Sequence, residues 1–134
     1  MGKLDDSVRK LLEAKNFAFV ATLNEDGSPQ VTPTWVDTDG EFALVNTAIG
    51  RVKQKNVKRD TRVAIAVLDQ ANPYSYTAIR GRVVEQVTGK LADDHIDKLA
   101  KKYIGVDKYP HRQPGEQRVI LKIATDHVIP PQSG

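Results

Sequence analysis

The sequence predicts an α+β, mainly β protein, a small antiparallel barrel of about six strands with about three peripheral helices, as a single domain over residues 1–134. Three observations predict it. Short aromatic and β-branched runs recur at meander spacing, turn chemistry separates them, and helical periodicity appears in three stretches that do not alternate one for one with the strands. One real core is feasible at 134 residues, because a chain of this size buries roughly two-thirds of the surface it exposes when unfolded.

Leu4, Val8, Leu11 and Leu12 recur at helical spacing, so residues 3–14 read as an amphipathic helix with Asp5 and Asp6 near its positive end. Residues 17–23 are aromatic and β-branched and read as a strand. The turn residues Asn24 to Gly27 join them to a second strand over 30–37, making a hairpin. Thr38, Asp39 and Gly40 lead to a third strand over 41–46, which completes a meander. Residues 51–59 are polar and free of breakers after Gly50, which suits a short helix, and 62–68 form a near-continuous apolar run expected to be a buried central strand.

Asn72-Pro73 then punctuates before a long strand from residue 74 to about 87, with Gly81 inside it as a bulge or close backbone approach. Ala92, Ile96, Leu99, Ala100 and Tyr103 mark a third helix ending near Gly105. Residues 106–117, with Pro110, Pro114 and Gly115, read as an ordered loop, and 118–125 alternate as a last strand.

The composition excludes much chemistry. With no cysteine there is no disulfide, thiolate nucleophile or cysteine metal site, and redox work would need a borrowed cofactor. His95, His111 and His127 stand far apart at no zinc-like offset, so no metal site is expected; His95 reads as a helix-surface residue and His127 as a strand-end residue. No nucleophile elbow, P-loop or dinucleotide-binding glycine motif occurs. Asp5-Asp6 and Asp93-Asp94 are explained by helix dipoles. No apolar run approaches the roughly 18–20 residues of a membrane span, and no leader pattern is visible, so a cytoplasmic location away from membranes is expected.

What remains is residues 51–62, in which six of twelve residues are basic. A strand leading through Gly50 into a helix offers free backbone N–H groups at the helix start, with Arg51, Lys53 and Lys55 beside them, an arrangement suited to phosphate capture. A solvated helix face is the bland alternative. Nucleic acid is not the expected partner, because no aromatic residue interleaves the basic run.

The chain resembles the pyridoxamine 5'-phosphate oxidase-like family, especially its deazaflavin-dependent oxidoreductase branch. The likeness runs through residues 17–23, Asp26 to Val31 with Pro33 and Trp35, Arg51, Lys53, Lys55 and Asn56 with Arg59-Asp60, and Asn72 to Tyr76 with Arg80-Gly81. It implies a six-stranded antiparallel split β-barrel of the Greek-key, FMN-binding type, paired into a homodimer with the cofactor at the subunit interface. It also implies a reductase using coenzyme F420, with FMN as the alternative, that passes a hydride to a small unsaturated or quinone-like substrate. A non-catalytic flavin or tetrapyrrole binding protein is the reading from a different class.

By position, Arg51, Lys53, Lys55 and Asn56 would hold the cofactor's phosphate-bearing tail, while Gln30, Val31, Thr32, Pro33 and Thr34, with Asn46, Thr47 and Ala48, would line its ring. Tyr74, Tyr76 and Trp35 fall at pocket positions, and Tyr76 is the candidate catalytic hydrogen-bond donor. The longer C-terminal portion with which pyridoxamine phosphate oxidases grip their substrate has no counterpart here, which argues against vitamin B6 oxidation.

Overall fold

In the computed structural model, which describes residues 4–132, period-two runs pair into one antiparallel sheet and three helices pack on it. Helix α1 (Asp6–Glu13) precedes β1 (Ala18–Leu23) and β2 (Pro29–Thr34); β3 (Asp37–Thr38), β4 (Ala43–Ala48) and α2 (Val52–Arg59) follow. The chain continues through β5 (Arg62–Leu68), β6 (Tyr76–Thr88), α3 (Lys90–Ile104) and β7 (Arg118–Gln132). Strand order is β2-β1-β5-β6-β7-β4-β3.

The α+β, mainly β class and the three helices agree with expectation, but the six-stranded split β-barrel does not. Among the described residues seven strands form an open sheet, whose ends, β2 and β3, do not pair. The strand expected over 30–37 breaks at Trp35 and Val36, leaving β3 only two residues long and paired to β4 alone, at Asp37 with Leu44 and Thr38 with Ala43. Such a stub cannot support a closing ladder. Pro29 and Pro33 lie four pairs apart on β2 and lack the N–H that an inner strand must supply, so β2 is suited to an edge. The expected meander fails for the same reason: β2 pairs with β1, β3 with β4, and the two hairpins separate.

Gly81 is both things its sequence context suggested. The β6–β7 register shifts between Arg80 and Gly81, and a Cβ on Gly81 would lie 1.9 Å from the Ala124 carbonyl oxygen. β7 runs past its expected end at Thr125 because the 13-residue β6 offers a partner that far, so His127 lies within the ladder opposite Arg80 and not at a strand end.

The main core joins Val8, Leu11 and Leu12 of α1 to Val20, Ile65, Ile79, Leu121 and Ile123 of the sheet. An isolated eight-residue helix is unstable in water, so α1 depends on this burial, worth roughly 1.5–3 kcal/mol per enclosed Leu or Val. β5 is interior in strand order, yet only one of its faces is buried. Val63, Ile65 and Val67 point inward, while Ala64 and Ala66 face out. Across that outer face, Pro33, Phe19, Ala66, Ala78 and Ile129 are neighbours in register, one apolar row over five strands.

Candidate functional site

A cleft of about 460 Å³ opens on the sheet beneath the loop that precedes β7. Period-two alternation on β2 turns Gln30, Thr32 and Thr34 toward it, and the corner after β2 adds Trp35. The end of β4 contributes Asn46 and Thr47. Gly50, at φ 93°, turns the chain into α2, which brings Arg51, Val52 and Lys53 to the rim. Ile96 and Leu99 of α3 form the floor, and Tyr109, His111 and Arg118 close the remaining side.

The rim is electrostatically incomplete. Arg51 lies 3.4 Å from Glu116 Oε2 and Arg118 lies 3.1 Å from Oε1, so one carboxylate serves two guanidinium groups while Lys53 stands beside them. Burial, and then the positive charges of Arg51 and Arg118, push the Lys53 ammonium below its ordinary value. Three cations around one carboxylate leave positive charge for an anion to neutralise. No side chain caps α2, which leaves first-turn N–H groups available, although the Gly50 N–H is taken by Gln54 Oε1 at 3.0 Å.

Arg118 is 4% exposed yet lines the cleft. Its Nε donates to Asn46 Oδ1 at 2.9 Å, and its guanidinium carbon lies 5.2 Å from the Tyr109 ring centroid. Behind it, Asn46 Nδ2 donates to the Ala92 carbonyl at 3.0 Å and lies 3.1 Å from His95 Nδ1. His95 Nε2 in turn lies 3.4 Å from Asp37 Oδ2, which Lys98 also meets at 3.1 Å. Burial raises the Asp37 carboxyl, but polar contacts with His95, the Thr38 N–H and Lys98 outweigh it and hold the group at about 2.

Aromatic side chains organise the wall. Trp35 stacks on Tyr103 with centroids 5.2 Å apart and planes within 4°, Phe17 tilts against Tyr103 at 5.6 Å, and Tyr109 meets Trp35 edge-on at 6.0 Å. The Tyr103 hydroxyl donates to the Asn16 carbonyl and accepts from the Val36 N–H at 3.1 Å, and burial pushes it up to about 12. Tyr103 is therefore a neutral strut. The loop over the cleft hangs from Asp97, which accepts the Tyr109 N–H at 2.8 Å and the Arg112 guanidinium at 2.7 Å.

Of the residues singled out from sequence, Gln30, Thr32, Pro33, Thr34, Trp35, Asn46, Thr47, Arg51 and Lys53 line this cleft. Val31 points away and is 62% exposed, Ala48 is buried at the end of β4, and Lys55 is exposed on α2. Asn56 is buried and donates to Thr22 Oγ1 at 3.0 Å and Asn24 Oδ1 at 2.9 Å, which docks α2 on the sheet. Tyr74, at 73% exposure, and Tyr76, at the start of β6, lie outside the cleft of their own chain.

Sequence reasoning missed Arg118, Tyr109, His111 and the floor from α3. His95 is a correction: it is 8% exposed and not on the helix surface. Its place three residues after Ala92 and four before Leu99 put it on the apolar face, a signal the sequence carried. Arg118 carried no such signal, because its position depends on pairing with Ala48 across the β4–β7 ladder.

The fold is of the flavin- and deazaflavin-binding oxidoreductase type. The pyridoxamine 5'-phosphate oxidase family profile matches residues 4–130, and the chain belongs to that family. A solved F420 reductase is 30% identical, with 94% of this chain and 98% of that one covered and a TM-score of 0.81. A conserved hypothetical protein from Mycobacterium tuberculosis is 20% identical over 96% of this chain and 85% of its own, with a TM-score of 0.76. A candidate pyridoxamine 5'-phosphate oxidase from Listeria innocua is 16% identical, covers 93% and 95% of the two chains, and has a TM-score of 0.70. The last two speak for the fold alone. Among the described residues no helix is long and apolar enough to cross a membrane.

Proposed function

We propose that the chain is a coenzyme F420-dependent reductase acting on a small unsaturated or quinone-like substrate, with FMN as the alternative occupant of the same cleft. The observation that carries this reading is the cationic rim, where Arg51 and Arg118 share the single carboxylate of Glu116 with Lys53 beside them. The 30% identity to an F420 reductase across 94% of the chain favours the deazaflavin. The residues present fit such a group: the Thr32 hydroxyl is buried at the cleft without a hydrogen-bond partner, as expected of an atom that waits for a ligand.

The bound cofactor would supply the hydride. The chain's own part is to bind, orient and exclude water. Arg51, Lys53 and Arg118 would hold the phosphate-bearing tail, with Lys55 adding longer-range charge and Asn56 keeping α2 in place. Gln30, Thr32, Pro33 and Thr34, with Asn46 and Thr47, would line the ring; Val31 and Ala48 would support those positions from behind. Trp35, Ile96 and Leu99 keep water from the reacting face.

The homodimer belongs to this proposal. The outward row from Pro33 through Phe19, Ala66 and Ala78 to Ile129 is the apolar surface on which a second copy would pack. Tyr74 and Tyr76 would then enter the partner's cleft, with Tyr76 as the hydrogen-bond donor.

The test is a fluorescence titration of the purified protein with oxidised F420 and, in parallel, FMN. Saturable binding of F420 in preference to FMN is expected. Replacing Arg51 and Lys53 together with alanine should weaken F420 by at least about tenfold, because each charge-assisted bond is worth roughly 1.5–3 kcal/mol. The unfolding midpoint should not move. Binding of neither cofactor defeats the proposal. Binding without oxidation of the reduced form, across enones, quinones and biliverdin, would instead identify a carrier.

A further inference from the structure

Arg118 is held so that its side chain has one rigid direction, by a network that runs from the cleft-lining Asn46 back to His95 and Asp37 outside the cleft. The Ala92 carbonyl can only accept a hydrogen bond, so the Asn46 amide must turn its NH₂ toward Ala92, at 3.0 Å. That leaves Asn46 Oδ1 to accept from Arg118 Nε at 2.9 Å. The second N–H of the same amide faces His95 Nδ1 at 3.1 Å, so this ring nitrogen must be the acceptor and the ring's proton sits on Nε2, toward Asp37. The directed hydrogen bonds thus run from His95 Nδ1 through Asn46 to Arg118, while His95 Nε2 lies 3.4 Å from Asp37 Oδ2 without a hydrogen bond. Glu116 takes Arg118 Nη1 at 3.1 Å, and Nη2 has no hydrogen-bond partner among the described residues.

We propose that His95 and Asn46 are positioning residues, which act through Arg118 to aim its free Nη2 edge at the anionic group of the ligand in the cleft. The inference rests on the proposed function, since it takes the ligand to carry a phosphate. A guanidinium left to swing would still attract an anion but would lose the directional bond. An acceptor at the His95 Nδ1 position is what the Asn46 amide requires, and an asparagine side chain places a carbonyl oxygen near that point.

The experiment uses two probes that share a ring and differ in the anion: oxidised F420 and its phosphate-free riboside core. In the full-length protein, His95→Leu, a change outside the cleft lining, should weaken F420 by about tenfold while affinity for the core stays within about twofold. His95→Asn, which restores the acceptor, should return F420 affinity to near the parent value. In an Arg118→Gln background, His95→Leu should have no further effect on F420, the signature of action through Arg118. Thermal unfolding of each variant separates misfolding from misdirection.

If the parent protein binds neither probe, it is the proposed function that fails. If the parent binds F420 and His95→Leu leaves that affinity unchanged, the positioning role is overturned. Equal losses for both probes, with no recovery in His95→Asn, would also overturn it and leave the pair as ordinary packing.

Discussion

Asp37 sits between a histidine and a lysine, its side chain only 8% exposed, and its carboxyl is held at about 2 against an ordinary 3.8. The folded state therefore binds the proton more weakly than the unfolded chain does. The resulting stability is fully present above about pH 4 to 5 and drains away as the pH falls toward 2, a difference of roughly 2 kcal/mol. Asp37→Asn should lower the unfolding midpoint at pH 7 and flatten its decline between pH 5 and 2, measured by thermal melts across that range. A decline as steep as the parent's would show that other acids carry it. At this scale the sequence was informative wherever function follows local order. The cleft positions of Thr32 and Arg51 were legible from the family resemblance and from the run after Gly50, whereas Arg118 and Asp37 gain their contacts from partners 72 and 58 residues away, respectively, in Asn46 and His95.

Elements were legible where periodicity and punctuation agreed. β5 occupies the expected residues, Arg62–Leu68, and α3 ends as Gly105 predicts, with that glycine at φ 74°. The expected strand over 30–37 failed because apolar and β-branched composition continues through Trp35 and Val36 while the backbone turns there to bury Val36. Gly81 is the element-scale position most open to test. An alanine methyl placed 1.9 Å from the Ala124 oxygen meets backbone on the central β6–β7 ladder, which cannot move aside cheaply. Gly81→Ala should cost about 3 kcal/mol in a chemical denaturation curve. A midpoint equal to the parent's would mean the two longest strands slide past one another freely.

For the molecule as a whole, class and helix content followed from the sequence, but closure did not, since it depends on whether the first and last strands in space find each other. The apolar run of β5 was misread in an instructive way. Residues apolar on both faces of a strand imply two covered faces, and a single chain covers only one. In the proposed homodimer the second cover would be another copy. Phe19→Asp, at the centre of the outer row, should shift the protein to a monomer in light scattering without unfolding it, and F420 affinity should fall with it. A parent protein already monomeric at micromolar concentration would remove the dimer from the proposal.

The clasp at Asp97 has a consequence for how such a site changes over time. The helix that forms the cleft's floor also suspends its roof, so the two surfaces are fixed to one rigid body. Residues between the clasp points can vary in size and polarity and so alter which small molecules are admitted. The cationic rim opposite, built on α2 and β7, need not change with them.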